Sequence, residues 1–384
     1  MNRILFFNYE FPPIGGGSGN ANAYLFREFS RRDGLAIDCV TSNLDREDEV
    51  FPLHDRIRLH RLAVGKKDLH FWAQRELATY LFRAGGKAKD LLAVNGYDLC
   101  HAFGGFPAGL LAWRLRRRAP YILSLRGSDV PGFNPRFKWQ YAVLQPLFRR
   151  IWRGARSVTA TSAGLRQLAQ KFEPSLAVEV IPNGVDAEEF SPAEPGGREP
   201  GLLLCVSRLI ERKGVQHLVA AFPEVLRRDP SARLTIVGSG DLEGALRDQV
   251  RQLGCQEKIS FAGEIEHAAL PEFYRRAQVF VQPSYSEGMS NTVLEAMACG
   301  LPVVVSAEGG RQELCGANAA MVSFGDHHAL GRILAELLGR PERLAAMGAE
   351  SRSIAEGYSW QAAAERYLEL YRKVLENPTK AAKT

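Results

Sequence analysis

Several features that would fix the class of this chain are scarce or missing. Cysteine is sparse: Cys39, Cys100, Cys205, Cys255, Cys299 and Cys315 are scattered without any CxxC spacing, and most sit inside apolar runs. That pattern excludes a disulfide scaffold and reads as buried, reduced thiols, with a cytosolic compartment as the default expectation. No apolar stretch approaches the roughly eighteen residues that a membrane-spanning helix requires. The opening MNRILFFNYEFPP has one Arg and a four-residue apolar burst before a double proline. Such a burst is too short for the apolar region of a signal peptide.

What is present describes an ordinary globular chain. With 384 residues, 46% hydrophobic and 24% charged, disorder and collagen are excluded, and the length favours two domains with a core each. The 49 basic against 43 acidic side chains leave a formal charge of +6. Such an excess suits nucleic acid, an anionic membrane or a phosphorylated ligand. Residues 126–156 hold seven Arg or Lys against one Asp, which accounts for the whole excess. The chain is therefore not uniformly basic. No nucleic-acid-binding motif accompanies the charge, so nucleic acid is not an expected partner.

Short β-branched or apolar runs at 3–8, 36–41, 97–102, 121–125, 157–161 and 178–181 read as strands. Amphipathic segments at 22–32, 71–94, 107–118 and 163–172 separate them as helices. A second series has strands at 202–207, 233–237, 258–262, 279–283 and 302–306, with helices at 214–228, 242–253, 271–277, 291–299 and 329–338. Such alternation predicts two doubly wound parallel α/β domains. Residues 191–201, with three prolines and three glycines, read as a linker between an N-terminal domain over 1–190 and a C-terminal domain over 202–358. A long amphipathic helix is expected at 359–376, and a frayed tail at 377–384. Open α/β sheets bind ligands at the carboxyl ends of their strands, so two in tandem are expected to face each other across a cleft.

Four segments could carry chemistry. Gly15-Gly16-Gly17-Ser18-Gly19 joins a strand to a helix; its bare backbone can approach a phosphate or a sugar, or it is simply a flexible turn. No Gly-Lys-Ser/Thr follows, so it is not a Walker loop. Val206 to Gly214 puts Arg208 and Lys213 just before a helix, where two cations suit a diphosphate or remain solvated loop charges. Gly238-Ser-Gly240 and Gly244 give GxGxxxG after the second strand of the domain, wrong in spacing and position for a nicotinamide cofactor. In Gln282 to Pro302 a strand ends in a polar loop with Glu287 and Gly288, and a helix carrying Glu295 follows. The two carboxylates can accept hydroxyls from different parts of one sugar-bearing ligand.

Glu287 and Glu295 form an E-x7-E pair. Together with Ser207-Arg208-Leu209 and Lys213-Gly214, Asn183-Gly184-Val185-Asp186, and the N-terminal glycine loop, they make the chain resemble the retaining family-4 (group 1) glycosyltransferases. The resemblance covers nearly the whole chain and is strongest over 202–306. It implies the GT-B fold, two Rossmann-like domains facing across a cleft, with the final helix 359–376 crossing back to the N-terminal domain. In the donor domain, Arg208 and Lys213 would contact the diphosphate of a nucleotide sugar and Glu295 its ribose hydroxyls. Glu287 would sit at the transferred sugar, with the amides of Gly288, Met289, Ser290 and Asn291 beside sugar and phosphate. Gly263-Glu264-Ile265 matches the base-contacting stretch, and Gly16 and Gly17 would close over the donor from the acceptor-side domain.

The implied reaction moves a glycosyl group from a nucleoside diphosphate sugar to an acceptor hydroxyl with retention of configuration. The cations would stabilise charge on the departing diphosphate, which can itself take the acceptor proton. No Asp-x-Asp motif occurs, so neither a metal nor another cofactor is expected. One departure stands out: many members carry His-Gly-x-Asp near the acceptor, and this chain has Arg126-Gly-Ser-Asp129. Arg126 stays protonated and cannot be a base, so an acidic acceptor or the donor's phosphate is its expected contact; Asp129 keeps the pattern. His101 is the nearest substitute by residue type, or else a hydrogen-bonded structural histidine. Residues 133–156 mix Phe137, Trp139, Tyr141, Phe148 and Trp152 with six cations, which suits either an anionic membrane surface or a core-facing helix with a basic edge. The leading expectation is a cytoplasmic enzyme at the inner face of the membrane, building a cell-surface glycan or glycolipid. A GT-B sugar-nucleotide epimerase and a non-catalytic nucleotide-sugar-binding protein are the alternatives.

Overall fold

A computed structural model describes residues 2–308 and 313–376; the tail expected at 377–384 lies outside the described residues. The chain forms two compact units, Met1–Asn183 with Trp360–Thr384, and Gly184–Ser359.

The first unit is built on an eight-stranded sheet. Its strands are β1 (Asn2–Phe7), β2 (Leu35–Asn43), β3 (Glu49–His54), β4 (Ile57–Ala63), β5 (Leu99–Phe103), β6 (Tyr121–Leu125), β7 (Ser157–Ala160) and β8 (Val178–Val180), in the order β3-β4-β2-β1-β5-β6-β7-β8. Pairing is parallel except between β3 and β4. β2, β5 and β6 are buried along their whole length, because helices cover both faces of a parallel sheet. β3 and β4 are absent from the sequence expectation. β3 carries Pro52 and is half-exposed, and proline is tolerated only at a sheet edge such as this one.

The second unit has six parallel strands: β9 (Leu202–Val206), β10 (Arg233–Val237), β11 (Ile259–Gly263), β12 (Val279–Gln282), β13 (Val303–Ser306) and β14 (Ala319–Val322). Their order is β11-β10-β9-β12-β13-β14, the doubly wound arrangement whose direction reverses between β9 and β12. Loops leaving the carboxyl ends of those two neighbours flank the natural ligand crevice of such a sheet.

Two helices exceed the sequence expectation, Lys138–Gly154 and Pro341–Glu356. The first contains Pro146, exposed on its surface. The segment expected to be a linker, 191–201, packs on the second unit instead. The Arg198 guanidinium donates to the carbonyls of Ala277, Cys299 and Gly300 at 2.8, 2.8 and 2.9 Å, and the chain passes between units earlier, after Asn183. The final helix, Trp360–Glu376, belongs to the first unit. It buries Trp360, Tyr367, Leu370, Tyr371 and Val374 against Leu25, Phe26 and Phe29 of the helix Gly17–Ser30. Each large apolar side chain buried this way contributes roughly 1.5–3 kcal/mol. Among the described residues, no helix is long and apolar enough to cross a membrane.

Candidate active site

In the second unit the candidate side chains come mainly from the loops after β9 and β12. The loop 207–214 leaves β9 and is held against its neighbours by backbone bonds: Ser207 N–H to Val237 O at 3.0 Å, and Leu209 N–H to Ser239 O at 2.8 Å. These contacts explain the glycine turn after β10. A β-carbon on Gly238 would stand 2.0 Å from the Ser207 carbonyl oxygen, so the turn serves loop packing, not a cofactor. The loop ends in a single helical turn, Glu211–Lys213, closed by Gly214 at φ +71°, where a β-carbon would meet the Pro283 carbonyl oxygen at 2.1 Å.

That close approach brings the two loops together. Tyr285 N–H donates to Arg212 O at 2.7 Å, and the Arg212 guanidinium donates to Ser286 O at 3.1 Å. Lys213 Nζ and Glu287 Oε1 then form an ion pair at 2.5 Å, with only 12% and 11% of the side chains exposed. Burial pushes the Lys213 ammonium down to about 8; Glu287 opposes the shift, and the cations Arg212 and Arg208 add to it. Arg208 is exposed at the end of β9. The cluster is thus cationic despite the carboxylate, and it lies beside the start of the helix Asn291–Ala298. Ser290 caps that helix by accepting from Val293 N–H at 3.4 Å, and Thr292 links Ser290 to Gln282. Gly288 is buried, and Met289 is partly buried against the apolar cluster below.

Glu295, one turn further, is buried and already engaged. Tyr274 donates its hydroxyl at 2.9 Å, and His267 Nε2 lies at 3.0 Å from the other oxygen. Burial opposes protonation of His267, but the carboxylates of Glu295 and Glu189 outweigh it and raise its pKa. A carboxylate oxygen accepts more than one hydrogen bond, so this arrangement orients Glu295 without exhausting it. Gly263 ends β11 at φ +72°, its carbonyl accepting from Gly238 N–H at 2.7 Å; Ser239 Oγ reaches Glu264 at 3.4 Å, and Ile265 is partly buried.

In the first unit, Gly16 opens the helix Gly17–Ser30 without a side-chain cap, and a β-carbon there would meet nothing within 4 Å. The glycine loop is tied down by Gly15 N–H to Leu69 O at 2.8 Å and by a bond between His70 Nδ1 and Gly15 O. Arg126 and Asp129 lie on the loop after β6. The Asp129 carboxylate accepts from the backbone N–H groups of Gly105 (2.6 Å), Gly127 (2.7 Å) and Arg126 (2.9 Å). Burial raises its pKa against those bonds. Asp129 thus shapes the loop that carries Arg126.

His101 corrects the sequence expectation of a catalytic substitute. It is 0% exposed on β5, with Nδ1 2.7 Å from the Tyr371 hydroxyl and Nε2 2.8 Å from Ser124 Oγ. Burial first, then Arg126, holds its pKa well below the usual value. The final helix covers this strand end, and the imidazole is a core group. The aromatic-basic stretch divides: Tyr141, Phe148, Ile151 and Trp152 are buried, while Trp139 and Val143 are 80% and 76% exposed. Arg149 and Arg153 pair with Glu173 at 3.5 and 2.9 Å; Arg136, Lys138 and Arg150 are exposed. Sequence reasoning missed Arg212, His267, Tyr274 and His70, none of which stands in a recognisable spacing. Among the described residues, no group of three or more His, Cys, Asp or Glu is arranged to hold a metal ion.

The family model for glycosyl transferases group 1 matches residues 186–354, and that for the glycosyl transferase 4-like domain matches 16–184. The chain is 35% identical to a GDP-mannose-dependent alpha-(1-6)-phosphatidylinositol monomannoside mannosyltransferase of Mycolicibacterium smegmatis, over 74% of this chain and 78% of that one. It is 32% identical to the protein of the same name in Mycobacterium tuberculosis, over 97% and 98% of the two chains. Among solved structures, sucrose-phosphate synthase from Thermosynechococcus elongatus superposes with a TM-score of 0.84 at 24% identity, covering 98% of this chain and 100% of that one.

Proposed function

The chain belongs to the group 1 glycosyl transferases, with the GT-B fold, and from that premise we propose that it transfers a glycosyl group from a nucleoside diphosphate sugar, with retention, to a hydroxyl of a membrane-associated glycolipid or glycan. The observation that carries this reading is the Lys213–Glu287 ion pair beside Arg208, at the strand-order reversal of the second unit. Lys213 and Arg208 bind the diphosphate and stabilise the charge it gains as the glycosidic bond breaks. The amides at the start of Asn291–Ala298 add positive potential to the same phosphates and sugar.

Glu287 accepts from Lys213 and holds that ammonium in place, while its remaining lone pairs receive hydroxyls of the transferred sugar. Glu295, oriented by Tyr274 and His267, takes the ribose hydroxyls, and Gly263, Glu264 and Ile265 line the base. Because Glu287 is bound to a lysine, the departing phosphate oxygen is the better acceptor for the incoming proton, as front-face substitution with retention requires. Gly16 and Gly17 contribute a backbone surface to the donor, and Arg126 stands on the acceptor side, with Asp129 as the residue positioning it.

The relatives named as GDP-mannose-dependent phosphatidylinositol monomannoside mannosyltransferases support a glycolipid acceptor and make GDP-mannose the first donor to test. Exposed Trp139 and Val143 beside Arg136, Lys138 and Arg150 support peripheral association with an anionic bilayer at the cytoplasmic face. The test is turnover of a panel of GDP-, UDP- and ADP-sugars with lipid extract as acceptor. One donor is expected to be consumed, with Lys213→Ala and Glu287→Ala each losing most activity; full turnover in either variant would refute the site. A sugar-nucleotide epimerase would convert the donor without forming a glycoside, so the same assay separates that alternative.

A further inference from the structure

The segment 64–73, between β4 and the helix Gln74–Val94, is built around a buried ion pair. Lys66, with 0% of its side chain exposed, has its Nζ 3.2 Å from Glu76 Oε2, donates also to the Phe71 carbonyl, and lies 4.3 Å from the centre of the Trp72 ring. Glu76 in turn accepts from the backbone N–H groups of Ala73 at 2.9 Å and Lys67 at 3.2 Å. Asp68 accepts from those of His70 and Phe71, both at 2.8 Å. Neither partner of a buried pair can leave without stranding the other charge, so a backbone tied to it in this way is held in one conformation.

The same segment grips the glycine loop. Leu69 O accepts from Gly15 N–H at 2.8 Å, His70 Nδ1 bonds the Gly15 carbonyl, and the Trp72 ring stands edge-on to Tyr9, 4.8 Å between centres. A carbonyl only accepts, so His70 carries a proton on Nδ1. The Gly15–Gly16 peptide bond is trans, and in a trans peptide the N–H points opposite to the C=O. With that carbonyl turned to His70, the Gly16 N–H is turned away from the 64–73 segment. It has no hydrogen-bond partner among the described residues, and Gly16 is partly exposed.

We infer that His70 is a positioning residue for the reaction: through the Gly15 carbonyl it locks one peptide plane, and that plane presents the Gly16 N–H to a phosphate oxygen of the nucleoside diphosphate sugar. The Lys66–Glu76 pair keeps His70 where it can do so. This rests on the transferase reading above, in which Gly16 meets the donor. No proton is transferred to or from His70. Negative charge on the departing diphosphate grows as the glycosidic bond breaks, so the contact acts on turnover more than on donor binding.

The test compares three variants of the full chain: His70→Ala, His70→Phe, which keeps a ring without a donor, and His70→Asn, which keeps an N–H donor on the γ-carbon. Hydrogen exchange at the Gly15 amide is read first, without ligand. It is expected to be at least about tenfold faster in the alanine and phenylalanine variants, and within about threefold of wild type in the asparagine variant. Kinetics follow with whichever GDP-, UDP- or ADP-sugar the wild type consumes. The alanine and phenylalanine variants should lose at least about tenfold in kcat with KM within about threefold, and asparagine should restore kcat. A variant that merely destabilised the unit would melt earlier and loosen exchange in β1 and β4 as well. The phenylalanine–asparagine contrast carries the test if the alanine variant does not fold. Unchanged Gly15 exchange in the variants without a donor would overturn the inference, and so would loosened exchange with full turnover. Exchange loosened as expected in a chain that consumes no sugar nucleotide would sustain the hold of His70 on the loop and overturn the transferase reading.

Discussion

At the proposed donor site, Lys213 is expected to make nucleotide binding depend on pH. In the unliganded chain burial holds its ammonium at about 8, with Glu287 at 2.5 Å resisting the shift. A bound diphosphate adds two or more negative charges beside it and moves the pKa upward again. Binding therefore takes up a proton, and affinity falls as pH rises through the free-enzyme value. The uptake follows the neutral fraction of the free enzyme: about 0.1 proton at pH 7, about 0.5 at pH 8 and about 0.9 at pH 9. Above pH 8, affinity should fall about tenfold per unit, or about 1.4 kcal/mol. The terminal phosphate of a nucleoside diphosphate ionises mainly below this window, and the guanine and uracil ring N–H groups begin to ionise at its upper edge, so the protein's share of the profile is the part that a Lys213 variant removes. Calorimetry of GDP and UDP binding between pH 7 and 9.5, in buffers of different ionisation enthalpy, measures the uptake directly. Lys213→Arg keeps its charge throughout and should flatten the profile. No uptake in the wild type, or the same slope in Lys213→Arg, would refute the reasoning.

Other perturbations give equally definite outcomes. His101→Ala removes a buried ring and leaves Tyr371 and Ser124 without their partner, at a cost of about 3–5 kcal/mol in urea unfolding; unchanged nucleotide affinity of the folded variant would mark the residue as structural, and abolished turnover at intact stability would restore a catalytic role. Gly214→Ala forces a β-carbon onto the Pro283 carbonyl at a positive φ. It should lower stability by at least about 2 kcal/mol and weaken nucleotide binding with it, whereas a silent substitution would mean that the two loops are not locked together. Trp139→Glu with Val143→Glu should reduce co-sedimentation with anionic vesicles about tenfold, and retention at the wild-type level would remove this face from any membrane role.

The parallel strands were legible because burial on both faces writes them as continuous apolar runs. β9, β10 and β12 fall within a residue of their expected positions. β3 escaped because Pro52 interrupts its pattern, and β14 because Ala319-Ala-Met-Val322 is short and rich in alanine. The site residues of the second unit were named through motifs, but the ion pair between Lys213 and Glu287, 74 positions apart, follows only from the adjacency of β9 and β12. His101 was misread for a related reason. A histidine on a strand looks the same in sequence whether it is open to solvent or covered, and here the cover comes from Tyr371, 270 residues away. Likewise, the hold of the Asp129 carboxylate on the amides of Gly105, Arg126 and Gly127 is not written in any spacing of the sequence.

The proposed reaction is retaining transfer from a nucleotide sugar at the Lys213–Glu287 site. Its most direct test is the anomeric configuration of the product, read by NMR from the one-bond carbon–proton coupling of the new glycoside, with an α-linked nucleotide sugar as donor. An α-glycoside on the acceptor is expected, formed by the wild type and lost in Lys213→Ala. A β-glycoside, or an epimerised nucleotide sugar with no glycoside formed, would contradict it.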